Sequence, residues 1–152
     1  MDQSPQPRHR TTTTTRQDLT LDLALRLIDG ACQEAARRSV AMGLAVVDTG
    51  GCVVASARMD GAQLVAVDLA TDKAYTAVAF GQPTEAWSAS TQPGGADWGL
   101  STTLGGRLVV FAGGLPVRVD GQVVGAIGVS GAAADVDRAC AHAGIAAVGL
   151  AG

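Results

Sequence analysis

The chain has 152 residues, enough for one domain around a single core. Apolar residues make up 47% of it and aromatic residues only 3%, which excludes a disordered protein and asks for a core of small side chains. With 16% charged residues and a net charge of −3 it carries no basic footprint for nucleic acid, and no apolar run is long enough to cross a membrane.

So little charge leaves apolar surface for other subunits to cover, and a homo-oligomer is expected. The three cysteines, Cys32, Cys52 and Cys140, have neither disulfide-framework nor zinc spacing. They read as small core hydrophobes of a cytoplasmic protein. Residues 1–17, with two prolines, a threonine run and His9, read as a disordered or tag-like tail ahead of a domain over 18–152.

The first helix starts near Asp18 or Thr20, with Leu21, Leu25, Ile28, Cys32 and Ala35 as its apolar stripe. Two β-prone runs follow at 44–48 and 52–58, joined by Thr49-Gly50-Gly51 as a hairpin. A second helix spans 65–80, with Val65, Leu69, Ala77 and Phe80 on its stripe and Lys73 among them. A short helical turn through Trp87 leads into a Gly/Ser/Thr-rich loop over 88–107, whose length and Trp98 point to function. Strands are expected at 108–112, 115–119 and 122–129, the last two joined by the Asp120-Gly121 turn. Ser130 then caps a final helix over 132–150. Short turns between successive strands make the sheet mainly antiparallel with five strands, and the helices cover its faces as a three-layer α/β/α sandwich.

Lys73 is the foremost candidate for chemistry. A lysine on an apolar stripe must pair with a carboxylate, release its proton, or snorkel to solvent. The expectation is a pocket between the second helix and the Gly113-Gly114 crossing, with Arg58 or Asp60 nearby. There Lys73 either holds a ligand carboxylate or acts as a base or imine-forming amine. Arg58 suits carboxylate recognition, and Asp60 is a turn, cap or acid/base residue. Gly113 and Gly114, just after Phe111, allow close approach to the backbone, and Ser130 feeds a helix N-terminus. His142, alone outside the tail, supports neither a nucleophile triad nor a metal site made of protein groups alone.

The blocks AVVDTGGCVVASARMDGA, DKAYTAVAFGQPT and FAGGLPVRVDGQVVGAIGVSGAAADVDRACAHAG resemble the GlcG/HbpS-like family, which includes haem-binding HbpS proteins and the C-terminal domain of PduO-type cobalamin adenosyltransferases. The resemblance covers residues 19–150. It implies a profilin-like fold, homo-oligomers from dimer up to octamer, and haem or a corrinoid as ligand. The family's recurring motifs fall on Arg58 to Gly61, on Lys73 and Ala74, on Gly113 to Pro116, and on Gly128 to Gly131. Two readings stand. One is a module binding haem or a related tetrapyrrole through Arg58, Lys73, Trp98, Phe111, Gly113, Gly114 and Ser130, as sensor, carrier or haem-turnover factor. The other is a cofactor-independent enzyme, such as a biosynthetic cyclase, isomerase or lyase, acting on a small carboxylated or carbonyl metabolite through Lys73, Arg58 and Asp60.

Overall fold

The computed structural model describes residues 12–150. The tail expected over 1–17 therefore lies, for its first eleven residues, outside the described residues, and residues 12–20 form no helix or strand. The elements run α1 (Leu21–Arg37), β1 (Gly43–Val47), β2 (Val53–Arg58), α2 (Ala66–Phe80), β3 (Gly114–Val119), β4 (Gln122–Ser130) and α3 (Ala134–Ala147). Three short 3-10 turns, Thr84–Trp87, Leu100–Thr102 and Leu104–Gly106, lie between α2 and β3.

Thr20 caps α1 by accepting from the Leu23 N–H at 3.2 Å, and Asp22 and Arg37 complement the helix dipole in its first and last turns. The β1–β2 turn is built on Asp48, whose Oδ1 accepts from the N–H groups of Gly50 and Cys52, each at 2.9 Å. Asp120 and Gly121 both take positive φ, 50° and 78°, as a two-residue hairpin turn demands.

The four strands form one antiparallel sheet in the order β2-β1-β4-β3. Alternation sends Leu44, Val46, Leu115, Val117, Ile127 and Val129 to one face, against α1 and α3. Val47 and Ala126 turn to the other face, against Ala74 and Ala77 of α2. Gly128 lies on that second face, where a Cβ would stand 1.9 Å from the Ala70 carbonyl oxygen, so α2 sits flush on β4. Each fully buried leucine of the larger core contributes about 1.5–3 kcal/mol.

Several expectations are corrected. The sheet has four strands where five were expected: residues 108–112 form none. Their polar groups meet side chains where a neighbouring strand was expected to bond them. The Val109 N–H donates to Thr76 Oγ1 at 3.0 Å, and the Val110 and Phe111 carbonyls accept from Ser88 and Thr84, both at 2.7 Å. The α1 stripe is rotated from its expected phase. Ala24, Leu27, Ile28, Ala31 and Ala35 are buried, whereas Leu21 and Leu25 are 56% and 53% exposed. On α2 the buried side chains are Ala66, Ala70, Lys73, Ala74, Thr76 and Ala77, while Val65 and Phe80 are exposed. Ser130 caps nothing. It ends β4, and Ala133 stands at the N-cap of α3 without a side-chain bond. Among the described residues no helix is long and apolar enough to cross a membrane.

Candidate functional site

One end of the sheet gathers what the sequence singles out. There the register places Arg58 opposite Gly43, Gly43 opposite Ser130, and Gly114 opposite Gly128. The sites on β2, β4 and β3 thus share an edge spanning three strand spacings, about 14 Å.

Lys73 enters this end from α2. It is 0% exposed, and its ammonium donates to Asp137 Oδ2 at 2.6 Å and to the Val129 carbonyl at 3.1 Å. Asp137 sits in the first turn of α3, on the opposite face of the sheet, and its other oxygen accepts from the Ala132 N–H at 3.0 Å. The ion pair therefore passes round the end of β3 and β4 and joins the two helical layers. Gly113 makes the passage possible: its φ is 125°, and a Cβ there would stand 2.7 Å from the Lys73 Nζ. The Phe111 ring lies over the ammonium, its centroid 5.0 Å from Nζ, while being 45% exposed itself. Burial pushes the Lys73 ammonium below its ordinary value of 10.5, against the hydrogen bond and charge of Asp137 and the charge of Glu85, which hold it up.

Around the pair, Thr84 is fully buried and links two segments, donating to the Phe111 carbonyl and accepting from the Gly114 N–H at 3.1 Å. Glu85 Oε1 faces Arg138 Nη1 at 3.5 Å, which ties the Thr84–Trp87 turn to α3. Glu85 Oε2 and Trp87 Nε1 are buried without a partner, and the Trp87 ring packs against Phe80, tilted by 48° with centroids 4.5 Å apart. Arg107 anchors the far end of the 88–107 loop, bonding Asp72 at 3.2 Å and lying over the Tyr75 ring at 3.6 Å.

The structure thus brings Lys73, Phe111, Gly113 and Gly114 together, with Ser130 ending the adjacent strand. Arg58 and Asp60 lie exposed at the same end, two strand spacings from β4, about 10 Å. The expected neighbour of Lys73 is corrected: its carboxylate is Asp137, not Asp60. Trp98 is exposed on its loop, its backbone N–H donating to the Gly95 carbonyl. Asp137, Glu85 and Arg138 are the residues sequence reasoning missed. Asp137 lies 64 positions from Lys73, and its one local signal is an acidic side chain in the first turn of a helix, which ordinarily means a dipole partner. Among the described residues no group of three or more His, Cys, Asp or Glu side chains could hold a metal ion.

Comparison with known proteins places this geometry in a family. An uncharacterised 15.0 kDa protein of the dhaT-dhaS intergenic region in Citrobacter freundii is 38% identical over 124 residues, covering 82% of this chain and 87% of its own. The crystal structure of Klebsiella pneumoniae protein ORFY superposes with a TM-score of 0.89 at 32% identity, covering 91% of this chain and 96% of the other. A PduOC:haem complex superposes with a TM-score of 0.84 at 34% identity, covering 88% and 96%. The family model described as haem degrading protein HbpS-like matches residues 19–146, and the chain belongs to this HbpS-like/GlcG family.

Proposed function

We propose that this protein binds haem or a related tetrapyrrole, as a carrier, sensor or haem-turnover factor, and works as a cytoplasmic homo-oligomer with a profilin-like sandwich fold. The observation that carries this reading is the likeness to the haem-bound PduOC structure, which extends over 88% of the chain. The sheet end fits the organic part of the group. Phe111 offers an exposed aromatic face, and Arg58 and Arg138, both exposed, offer guanidinium groups for its propionates. Trp98 supplies a second exposed ring on the adjoining loop, and Gly113, Gly114 and Ser130 lie buried behind Phe111 at the same end. For iron, the soft donors at this end are two thioethers, the half-buried Met59 beside Arg58 and the fully buried Met42 ahead of β1, while His142 lies exposed on α3 and Cys52 lies in the β1–β2 turn at the opposite end. The protein holds the group mainly by its ring and carboxylates, and bound haem adds the redox and oxygen chemistry of its iron. Three free cysteines agree with a reducing compartment.

Haemin titration followed in the Soret band tests this. Saturable binding is expected, weakened about tenfold or more by Arg58→Ala and by Arg138→Ala, the loss of one charged hydrogen bond each. Absence of a saturable change, with circular dichroism showing an intact fold, rejects the reading.

A further inference from the structure

Lys73 is the only lysine in the chain; the other ten basic residues are arginines. The arginines at 26, 37, 38, 58, 118 and 138 are exposed, and the single lysine is fully buried. For a buried ion pair alone arginine is the better residue, because it stays charged and bonds a carboxylate with two parallel donors. What lysine does and arginine does not is give up a proton and become a nucleophile. A buried pair is also a weak source of stability compared with apolar side chains of the same volume.

The surroundings equip the amine for that role. Asp137 Oδ2, 2.6 Å from Nζ, is a proton acceptor within the interior. The ammonium is covered by Phe111, a half-exposed ring on a segment that belongs to no strand. Glu85, whose charge holds the Lys73 proton on, keeps one buried carboxylate oxygen without a partner. Arg138, next to Asp137 in the chain and paired with Glu85 at 3.5 Å, places an exposed cation beside the buried pair.

We infer that Lys73 is a carbonyl-capturing amine and that the site takes a small 2-oxo acid, its carbonyl carbon at Lys73 and its carboxylate at Arg138. Nζ passes a proton to Asp137 and attacks the carbonyl carbon. A proton moves from the attacking nitrogen to the former carbonyl oxygen, giving a carbinolamine. The Asp137 carboxyl then protonates the hydroxyl, which leaves as water while the C=N bond forms. In sum an ammonium and a ketone become a protonated imine and water, with nothing oxidised or reduced. This activity goes beyond tetrapyrrole binding and does not rest on it.

The test uses the whole protein with pyruvate and cyanoborohydride, which reduces the imine to a stable secondary amine, read by intact mass and peptide mapping. In the folded protein Lys73 is expected to gain one reduced pyruvyl group at least ten times faster than in the urea-unfolded chain. The α-amino group serves as internal reference. Lys73→Arg should leave only the reference site labelled. Asp137→Asn should slow labelling at Lys73 tenfold or more. A lysine that is merely half of a structural pair behaves oppositely. It is protected in the fold, it labels faster on unfolding, and Asp137→Asn speeds it by loosening its surroundings. That pattern overturns the inference, and because it is measured without haem it leaves the tetrapyrrole titration to stand or fall by itself.

Discussion

At the Lys73–Asp137 pair, two ions have been taken out of water, at an effective cost of several kcal/mol each, and joined by a charged hydrogen bond of 2.6 Å. The balance is sensitive to which partner is removed. Asp137→Ala leaves a buried ammonium with only the Val129 carbonyl and the Phe111 ring, and should cost about 3–5 kcal/mol in urea unfolding. Lys73→Met alone strands the carboxylate in the same way, so the lysine stem is no guarantee of tolerance. The double change Lys73→Met with Asp137→Leu should recover most of the loss, because neither charge is then buried. The pH dependence follows from burial, which lowers the Lys73 value below 10.5. Between the lowered folded value and 10.5 the unfolded chain holds the extra proton, so this group's contribution to stability grows as pH rises and is lost as pH falls. Asp137 and Glu85 are the charges that act on the group, and Arg138 pairs with Glu85 beside them. The stability of the native protein relative to the double variant, measured by urea unfolding from about pH 7 to about pH 10, should therefore increase with pH. The Cys140 thiol, pushed up to about 11 chiefly by burial, has the opposite sign; the burial is common to both proteins, and only the smaller contribution of the Asp137 charge is lost in the double variant. A flat difference would mean that Lys73 keeps its ordinary affinity for protons.

Among the elements, α2 owes its position to β4. Gly128→Ala puts a methyl against the Ala70 carbonyl and should cost about 1–3 kcal/mol or more, seen as a lower midpoint in chemical denaturation. If the midpoint does not move, the flush contact is not limiting. The order of helices and strands was legible because turn chemistry marks it: Asp120-Gly121 and the Thr20 cap are local signals that survive into the fold. Which face each helix buries was less legible. Periodicity weights the large side chains, and on α1 it selects Leu21 and Leu25, whereas the buried face is one of Ala24, Ala31 and Ala35 around Leu27. Small residues win there because α3 comes close: a Cβ on Gly144 would stand 2.5 Å from the Leu27 carbonyl oxygen. The 108–112 run has the composition of a strand, but its hydrogen bonds go to threonine and serine side chains, a choice that no local propensity announces. The candidate site was half legible for the same reason. Lys73 stood out as a charge among alanines, and its proximity to Gly113 followed from close packing, whereas Asp137 became its partner only through the tertiary fold.

For the whole molecule, the exposed leucines of α1, with Leu64, Val65, Phe80 and Leu104 elsewhere, are large apolar side chains that a single copy leaves in water. Native mass spectrometry at micromolar concentration should give a multiple of the chain mass, and a monomeric mass would refute the homo-oligomer. The ion pair that reaches round the end of the sheet has a consequence for how this body loosens. α2 and α3 lie on opposite faces, and the sheet between them would ordinarily let either peel away by itself. With Lys73 bound to Asp137, lifting either helix breaks the same buried bond and uncovers a charge on the other. The amides of the two helices should therefore exchange with solvent as one cooperative unit, and severing the bridge should split that unit into two layers that open separately.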